Sequence, residues 1–473
     1  MELLFESRLN VSPVSGKLLW TQAKARLHPE PVIARDTSWD GAGASPMTVL
    51  HDGGRYRMWY SGWPADWGGS DACHACYAES DNGIDWVKPK LNVVKDGAGP
   101  SHRLNLPMCS VFIDPDAPAS HRYRGLTSIN PWAWFGPLPV REPGYCTAHS
   151  ADGLAWELDA DRARWAGADV ISGVYHPGRR CGLAAFKYNP RYHVIPRRAV
   201  WLAELRDGVW GDGARALVPD DFDDVAAMTR GYCSGDYYGL TLLPAGGASC
   251  AGILQQFRHS LPRTAGVGCC GVFGVTDLSL VYQDGPRDCW QHAPGRQDFL
   301  GHEGAPWTKG GIYSAGNVLT RGQEQRLYLT GQGQTHAWYL DESWKLLPRW
   351  KEAMRVSGDV SRGGFASWPA WRLFGYRADP EGVLSIRLGA PAQPVEVVLN
   401  CEAEPGGSIR AELEGDPERG IEAAVPLAGD QPAATVRWQN GTSLPPRADG
   451  TELNLKLHLE RATVWAYEVR PLS

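Results

Sequence analysis

The sequence predicts an all-β chain, a five-bladed β-propeller followed by a small C-terminal β-sandwich. Three observations carry this expectation. The 473 residues include 55 Gly, 35 Pro and 21 Trp, a mixture that suits many short strands joined by tight turns better than long helices. A seven-residue device, "SDNGIDW" from Ser80 to Trp86, returns as "SADGLAW" from Ser150 to Trp156. A strand–turn–strand pattern occurs five times between about residues 30 and 350.

In "SxDGxxW" the glycine takes the positive φ of a tight turn, and the tryptophan opens the next strand and packs its ring across the repeat. The upstream element is clearest in "MTVLHDGGRYRMWYSG", Met47 to Gly62. It recurs at Ser110–Ile129, Val170–Tyr188, Tyr232–Leu243 and Gly316–Gly331, with eroded copies of the turn device at "RDGVW" (Arg206–Trp210) and "DGPRDCW" (Asp284–Trp290). Units spaced irregularly at about 50–90 residues suit propeller blades carrying insertions, and closing five of them removes every open sheet edge. The expected division is a propeller over 1–350 and a sandwich over 351–473. From Leu384 the pattern turns alternating and tryptophan-poor, as in "LSIRLG" and "VEVVLN", so each strand buries one face. One short helical piece is expected over Asp341–Met354, interrupted by Pro348.

Charge and cysteine usage narrow the partners. A formal charge of −6 argues against nucleic acid and anionic membrane, and no run of about 18 apolar residues is present to span a bilayer. The N-terminal stretch lacks a basic head followed by an apolar segment, so the expectation is a cytoplasmic chain. Eleven cysteines, an odd number without framework spacing, then read as reduced core thiols. Cys73–Cys76 in "CHAC" has no second pair to complete a zinc site, and Cys269–Cys270 has no ligand spacing, so no metal and no cofactor are predicted.

The stretches "VLHDGGRYRMWYSG", "YAESDNGIDWVKPKL", "VFIDPDAPASHRYRGL" and "HSADGLAWELD" resemble five-bladed propeller proteins related to glycoside hydrolase families 32 and 43. The closer likeness is to a bacterial glycosyl-hydrolase-like group whose appended sandwich ends much as "LKLHLERATVWAYEV" does here. The resemblance implies an axial pocket with acidic residues at the starts of the inner strands, acting on a small-molecule or carbohydrate substrate. Glycoside hydrolysis needs one carboxyl as acid and a second as nucleophile or base.

On that pattern Asp40, Asp169 and Glu303 are the candidate catalytic residues of blades one, three and five. Asp36 is a second blade-one acid, and Asp224 and Arg230 precede the blade-four strand, where Asp236 reads as a turn residue. Blade two departs from the pattern: "SHRLNLPMCS" offers His102, Arg103 and Asn105 but no acid. Thr308 follows Trp307 where related sequences carry an acid. Trp63, Trp67, Trp132 and Trp134, in Gly- and Pro-rich loops, are candidates for an aromatic wall against a sugar face or a cationic transition state. The paired arginines Arg179–Arg180 and Arg197–Arg198 read as solvated turns.

Three functions stay open at this level. One is a glycosidase-like enzyme using carboxylate acid/base chemistry. A second is a biosynthetic cyclase, isomerase or lyase using one acid and an aromatic pocket. The third is a non-catalytic glycan-binding propeller.

Overall fold

Five hydrogen-bonded links join the innermost strands into a closed ring. The structure is a computed structural model describing residues 1–3, 11–68, 72–135, 137–192, 195–260, 273–338 and 360–472. Thr48 Oγ1 accepts the Val111 N–H at 3.0 Å, joining blade 1 to blade 2. Ser110 Oγ accepts the Gly173 N–H at 2.9 Å, and Ser172 Oγ donates to the Leu240 carbonyl. Thr241 Oγ1 donates to the Ala315 carbonyl at 2.7 Å, and Asn317 Nδ2 closes the ring on the Val49 carbonyl at 2.7 Å. Small hydroxyl and amide side chains serve here because the inner strands are too crowded for larger ones. A Cβ on Gly316 would lie 2.4 Å from Ser110 Oγ, so blades 5 and 2 touch across the axis and divide it into two ends.

Each inner strand opens an antiparallel blade. Blade 1 is Gly43–Asp52, Arg55–Trp63 and His74–Ser80. Blade 2 is Ser110–Ile113, Tyr123–Ile129, Gly144–Ser150 and Glu157–Leu158. Blade 3 is built on Ile171–His176, Cys181–Tyr188 and Ala199–Arg206. Blade 4 is built on Ser234–Pro244, Cys250–His259 and Gly274–Gln283. Blade 5 is Gly311–Arg321, Glu324–Gln332, Arg362–Pro369 and Arg26–Leu27, so its outer strand comes from upstream of blade 1.

The repeated turn device is a staple between blades. Ser80 Oγ accepts the N–H groups of Asn82 and Gly83, and Asn82 Oδ1 accepts those of Ile84 and Asp85. Ser150 and Asp152 reproduce the same four bonds. The glycine carbonyl then faces the preceding blade: Gly83 accepts from Tyr328 Oη at 2.6 Å and Gly153 from Trp59 Nε1 at 2.7 Å. Two residues before each aromatic, Arg326 and Arg57 reach the carbonyls of Asn82 and Asp152.

The sheet pairings place the domain edges differently from the expected cut at 350. Arg362–Pro369 belongs to blade 5, whereas Val11–Gln22 pairs with Phe374–Arg387 in the C-terminal unit. That unit is a β-sandwich whose long strands Val395–Leu413 and Asn454–Pro471 change register at Ala403/Ser408, allowing one continuous sheet to bend over its core. Leu384, Val397, Leu399, Leu455, Leu457 and Val464 form that core. Trp20 stacks on Phe374 at 5.2 Å and meets Tyr282 of blade 4 at 5.9 Å, fixing the sandwich to the propeller.

Asp221–Met228 is an α-helix with a reciprocal Asp220/Asp223 capping box. The expected helical piece over 341–354 and the Cys269–Cys270 pair lie outside the described residues. Among the described residues no helix is long and apolar enough to cross a membrane.

Candidate active site

The inner strands begin at one end of the axis, and two aspartates stand there in cages of the same composition. Asp40, just before Gly43–Asp52, has Oδ2 within 2.6 Å of Lys88 Nζ and 2.8 Å of Tyr60 Oη. Asp169, just before Ile171–His176, has Oδ2 within 2.6 Å of Lys187 Nζ and 2.7 Å of Tyr238 Oη. Each carboxylate accepts one ammonium and one phenol, so each is held as an anion.

Access separates them. Asp40 is fully buried, and its other oxygen accepts from Thr37 N at 3.1 Å and Thr37 Oγ1 at 2.7 Å. Burial opposes its ionisation, but His102, Lys88, Thr37 and Tyr60 outweigh that cost and keep it well below the usual carboxylate range. His102, at the blade-two position where no acid occurs, has Nε2 3.6 Å from Asp40 Oδ2 and stacks on Tyr60. Lys88 also bonds Asp36 Oδ1 at 2.6 Å and the Ala34 carbonyl at 2.7 Å.

The Asp169 side chain is 47% exposed although surrounding protein presses on it from blades 3, 4 and 5, as befits a group lining a concavity. Burial pushes its carboxyl up, yet the Lys187 charge and the bonds from Lys187 and Tyr238 hold it below its ordinary value. Burial in turn lowers Lys187 and raises Tyr238 well above a free phenol. Tyr238 Oη lies 2.8 Å from His336 Nε2; since its proton goes to Asp169, the imidazole is the donor in that contact. Asp169 itself has φ 90°, a conformation non-glycine residues seldom take, and its N–H is held by Ser128 Oγ at 2.8 Å.

The other predicted residues scatter. Glu303 is exposed on the turn His302–Gly304, and among the described residues its carboxylate has no hydrogen bond or ion pair. Its neighbour His302 is buried with Nδ1 2.6 Å from Asp277 Oδ1. Asp224 pairs with Arg197 at 3.1 Å and Arg230 with Asp298, both in blade-four networks. Arg197 also pairs with buried Asp236, which lies inside a strand and bonds His259 Nε2 at 2.9 Å. These two are therefore packed ion-pair residues and not solvated turns. Arg179 likewise holds the Ala248 carbonyl and Gln283 Oε1.

Trp307 is buried, donates to the Pro29 carbonyl at 2.9 Å and presses on Gly331 and Gly364. Asn105 clamps the Trp156 backbone from both amide atoms. Trp63 and Trp67 meet edge-on, with Trp67 packed against Trp338. Trp134 donates to the Pro137 carbonyl, while Trp132 stands 58% exposed. A different aromatic column rises above Asp40: the Arg103 guanidinium lies 3.7 Å from the Trp39 ring, Trp39 meets His74 edge-on, and His74 stacks on Phe135.

Sequence reasoning missed Lys88, Lys187, Tyr60, Tyr238 and His336. Lys187 carried a legible signal, a lysine ending the apolar run "CGLAAFKY". Among the described residues no group of three or more His, Cys, Asp or Glu side chains could hold a metal.

No protein-family model matches the chain, and no curated protein does so. Solved structures do resemble it. One is a glycosyl hydrolase of Bacteroides ovatus, at 12% identity over 76% of this chain and 97% of that one, with a TM-score of 0.43. Another is the alpha-L-arabinofuranosidase of Podospora anserina in complex with cellotriose, at 10% identity over 73% and 96%, TM-score 0.39. A third is the GH32 beta-fructofuranosidase of Bombyx mori, at 13% identity over 95% and 93%, TM-score 0.37. The chain is thus similar to glycoside hydrolase structures, at a distance that carries no argument about its activity.

Proposed function

We propose that the chain is a glycosidase-like enzyme that takes a small sugar or glycoconjugate at the axial end where Asp169 lies. The observation supporting this reading is Asp169 itself: an ionised carboxylate, open to solvent, at the start of an inner strand and fixed by Lys187 and Tyr238. Such a group can attack an anomeric carbon or take a proton from a water that does, and its charge opposes the positive charge of an oxocarbenium-like transition state. The Lys187 ammonium and Tyr238 phenol fix its orientation, so little reorganisation is needed during reaction.

Glu303, at the start of blade five with an exposed carboxyl uncommitted among the described residues, is the candidate proton donor that the Gln variant tests. Asp40 is a positioning residue in this scheme. It anchors Lys88, His102 and Tyr60 beneath the aromatic column of Trp39, His74 and Phe135.

The test is hydrolysis of α- and β-linked nitrophenyl glycosides and of the matching alkyl glycosides. Asp169→Asn is expected to lower kcat by about 10²–10⁴-fold in a chain that still folds, its melting temperature at neutral pH lowered because the buried Lys187 ammonium loses its counter-charge. Glu303→Gln is expected to harm alkyl glycosides more than nitrophenyl ones, because a nitrophenolate leaves without a proton. Turnover unaffected by Asp169→Asn, or no turnover on any member, refutes the assignment.

A further inference from the structure

At the opposite end of the molecule, blades 2 and 3 enclose a cleft of about 520 Å³, a size within the ~300–1,000 Å³ common for small-molecule sites. It lies beyond the C-terminal ends of the inner strands Ser110–Ile113 and Ile171–His176, the ends farthest from Asp169. The feature that singles it out is Arg124, which lines the cleft while only 8% exposed. Its Nε donates to Asp114 Oδ2 at 3.1 Å, and among the described residues its two terminal nitrogens have no protein acceptor. Asp114 is itself buried, and its second oxygen accepts the Asp116 N–H at 3.1 Å. Asp114 thus fixes the guanidinium in place, and the unused N–H groups are preorganised for a ligand.

Opposite partners are present on the same wall. Asp116 accepts the Tyr175 hydroxyl at 2.6 Å through Oδ2, leaving Oδ1 without a partner among the described residues. Ala117, Pro118 and Leu205 add an apolar strip. A hydroxyl group suits this arrangement, because it can accept from Arg124 while donating to Asp116. Arg180 and Asp207 also line the cleft, so a purely anionic ligand would meet three carboxylates and a purely cationic one two guanidinium groups. Vicinal hydroxyls backed by C–H faces are the chemistry of a neutral sugar.

We infer that this cleft is a second carbohydrate site, separate from the Asp169 end, binding a neutral mono- or oligosaccharide without acting on it. The probes are neutral di- and trisaccharides of glucose, galactose, xylose, arabinose and fructose, followed by calorimetry and saturation-transfer NMR. Asp116→Ala and Tyr175→Phe alter groups on the open side of the cleft, and Arg124→Lys keeps the charge but removes the fork; thermal melts monitor folding of all three. At least one probe is expected to bind wild type and Asp169→Asn alike and to weaken about tenfold in Asp116→Ala.

No binding of any probe at about 10 mM overturns the inference. So does binding indifferent to all three cleft variants, binding abolished by Asp169→Asn alone, or tighter binding of glucuronate or glucosamine than of glucose. Hydrolysis assayed in parallel keeps the outcomes apart: its absence speaks against the Asp169 reading and leaves the cleft result standing.

Discussion

The indole N–H of Trp59 on blade 1 donates to the carbonyl of Gly153 on blade 2 at 2.7 Å, with Trp59 1% exposed. Removing the donor leaves a buried carbonyl without a partner. Trp59→Phe is therefore expected to cost about 1–3 kcal/mol in urea unfolding, plus the smaller packing loss. Tyr328→Phe removes the matching bond at the blade 5–blade 1 junction. The two losses should add to within about 0.5 kcal/mol, since the pairs share no partner.

The glycine of the same turn is constrained twice. Gly153 has φ 75°, and a Cβ there would lie 2.9 Å from the Trp59 ring. Gly53 has φ 61° and open space within 4 Å. Gly53→Ala should cost about 1–2 kcal/mol for backbone strain alone. Gly153→Ala should exceed it by a further ~1–3 kcal/mol through the forced contact. Equal losses in denaturant titration would show that the staple tolerates displacement.

Asp40 and Lys88 form a buried pair, 0% and 10% exposed. Asp40→Asn removes the buried one of the two carboxylates that hold the ammonium and leaves Asp36 at 2.6 Å, so a destabilisation of about 1–3 kcal/mol at neutral pH is expected. Because the folded carboxyl lies below its unfolded value of about 3.9, its stabilisation is complete above that pH and fades as pH falls toward the folded value. The Asn variant should consequently show a shallower acid limb in melts taken between about pH 2 and pH 6.

Asp169→Asn should alter the alkaline side instead. Burial lowers Lys187, and the Asp169 charge opposes that lowering. A lysine whose folded pKa lies below its unfolded value of about 10.4 binds fewer protons when folded, so stability rises with pH between the two values. Without Asp169 the folded value drops further and the window extends downward. Melting temperatures rising more steeply in the variant than in wild type from about pH 7 to pH 10 are the expected result. Parallel curves would show that Lys187 finds another counter-ion.

What the sequence disclosed follows the range of the forces involved. The turn device was legible because its hydrogen bonds join residues two and three apart, as from Ser80 to Asn82 and Gly83. The blade count followed from it. The domain edges were not legible, since Leu27 pairs with Ala366 and Val11 with Ile386, partners that no local pattern announces. At the axial end the strand-start rule located Asp40 and Asp169 but not their cages. Lys88 is separated from Asp40 by 48 residues and Tyr238 from Asp169 by 69, and an isolated lysine in sequence reads as solvated. The four loop tryptophans share a composition, yet Trp134 is held by its own loop, Trp67 packs on Trp63 and on the distant Trp338, and Trp132 stays exposed.

Blade 5 receives its outer strand from Arg26–Leu27, and the sandwich receives Val11–Gln22. During synthesis those segments leave the ribosome first and wait, unpaired, until Ala366 and Ile386 follow, tens of seconds later at ~5–20 residues per second. Blades 1 to 3 can form as they emerge, but Arg26–Leu27 and Val11–Gln22 stay unpaired until Ala366 and Ile386 have been made. The interval exposes a hydrogen-bonding edge on the growing blade 5 and apolar residues such as Val11 and Trp20. Expression yield is therefore expected to depend on chaperone capacity and temperature more than equilibrium stability would indicate, a cost of pairing strands so far apart in sequence.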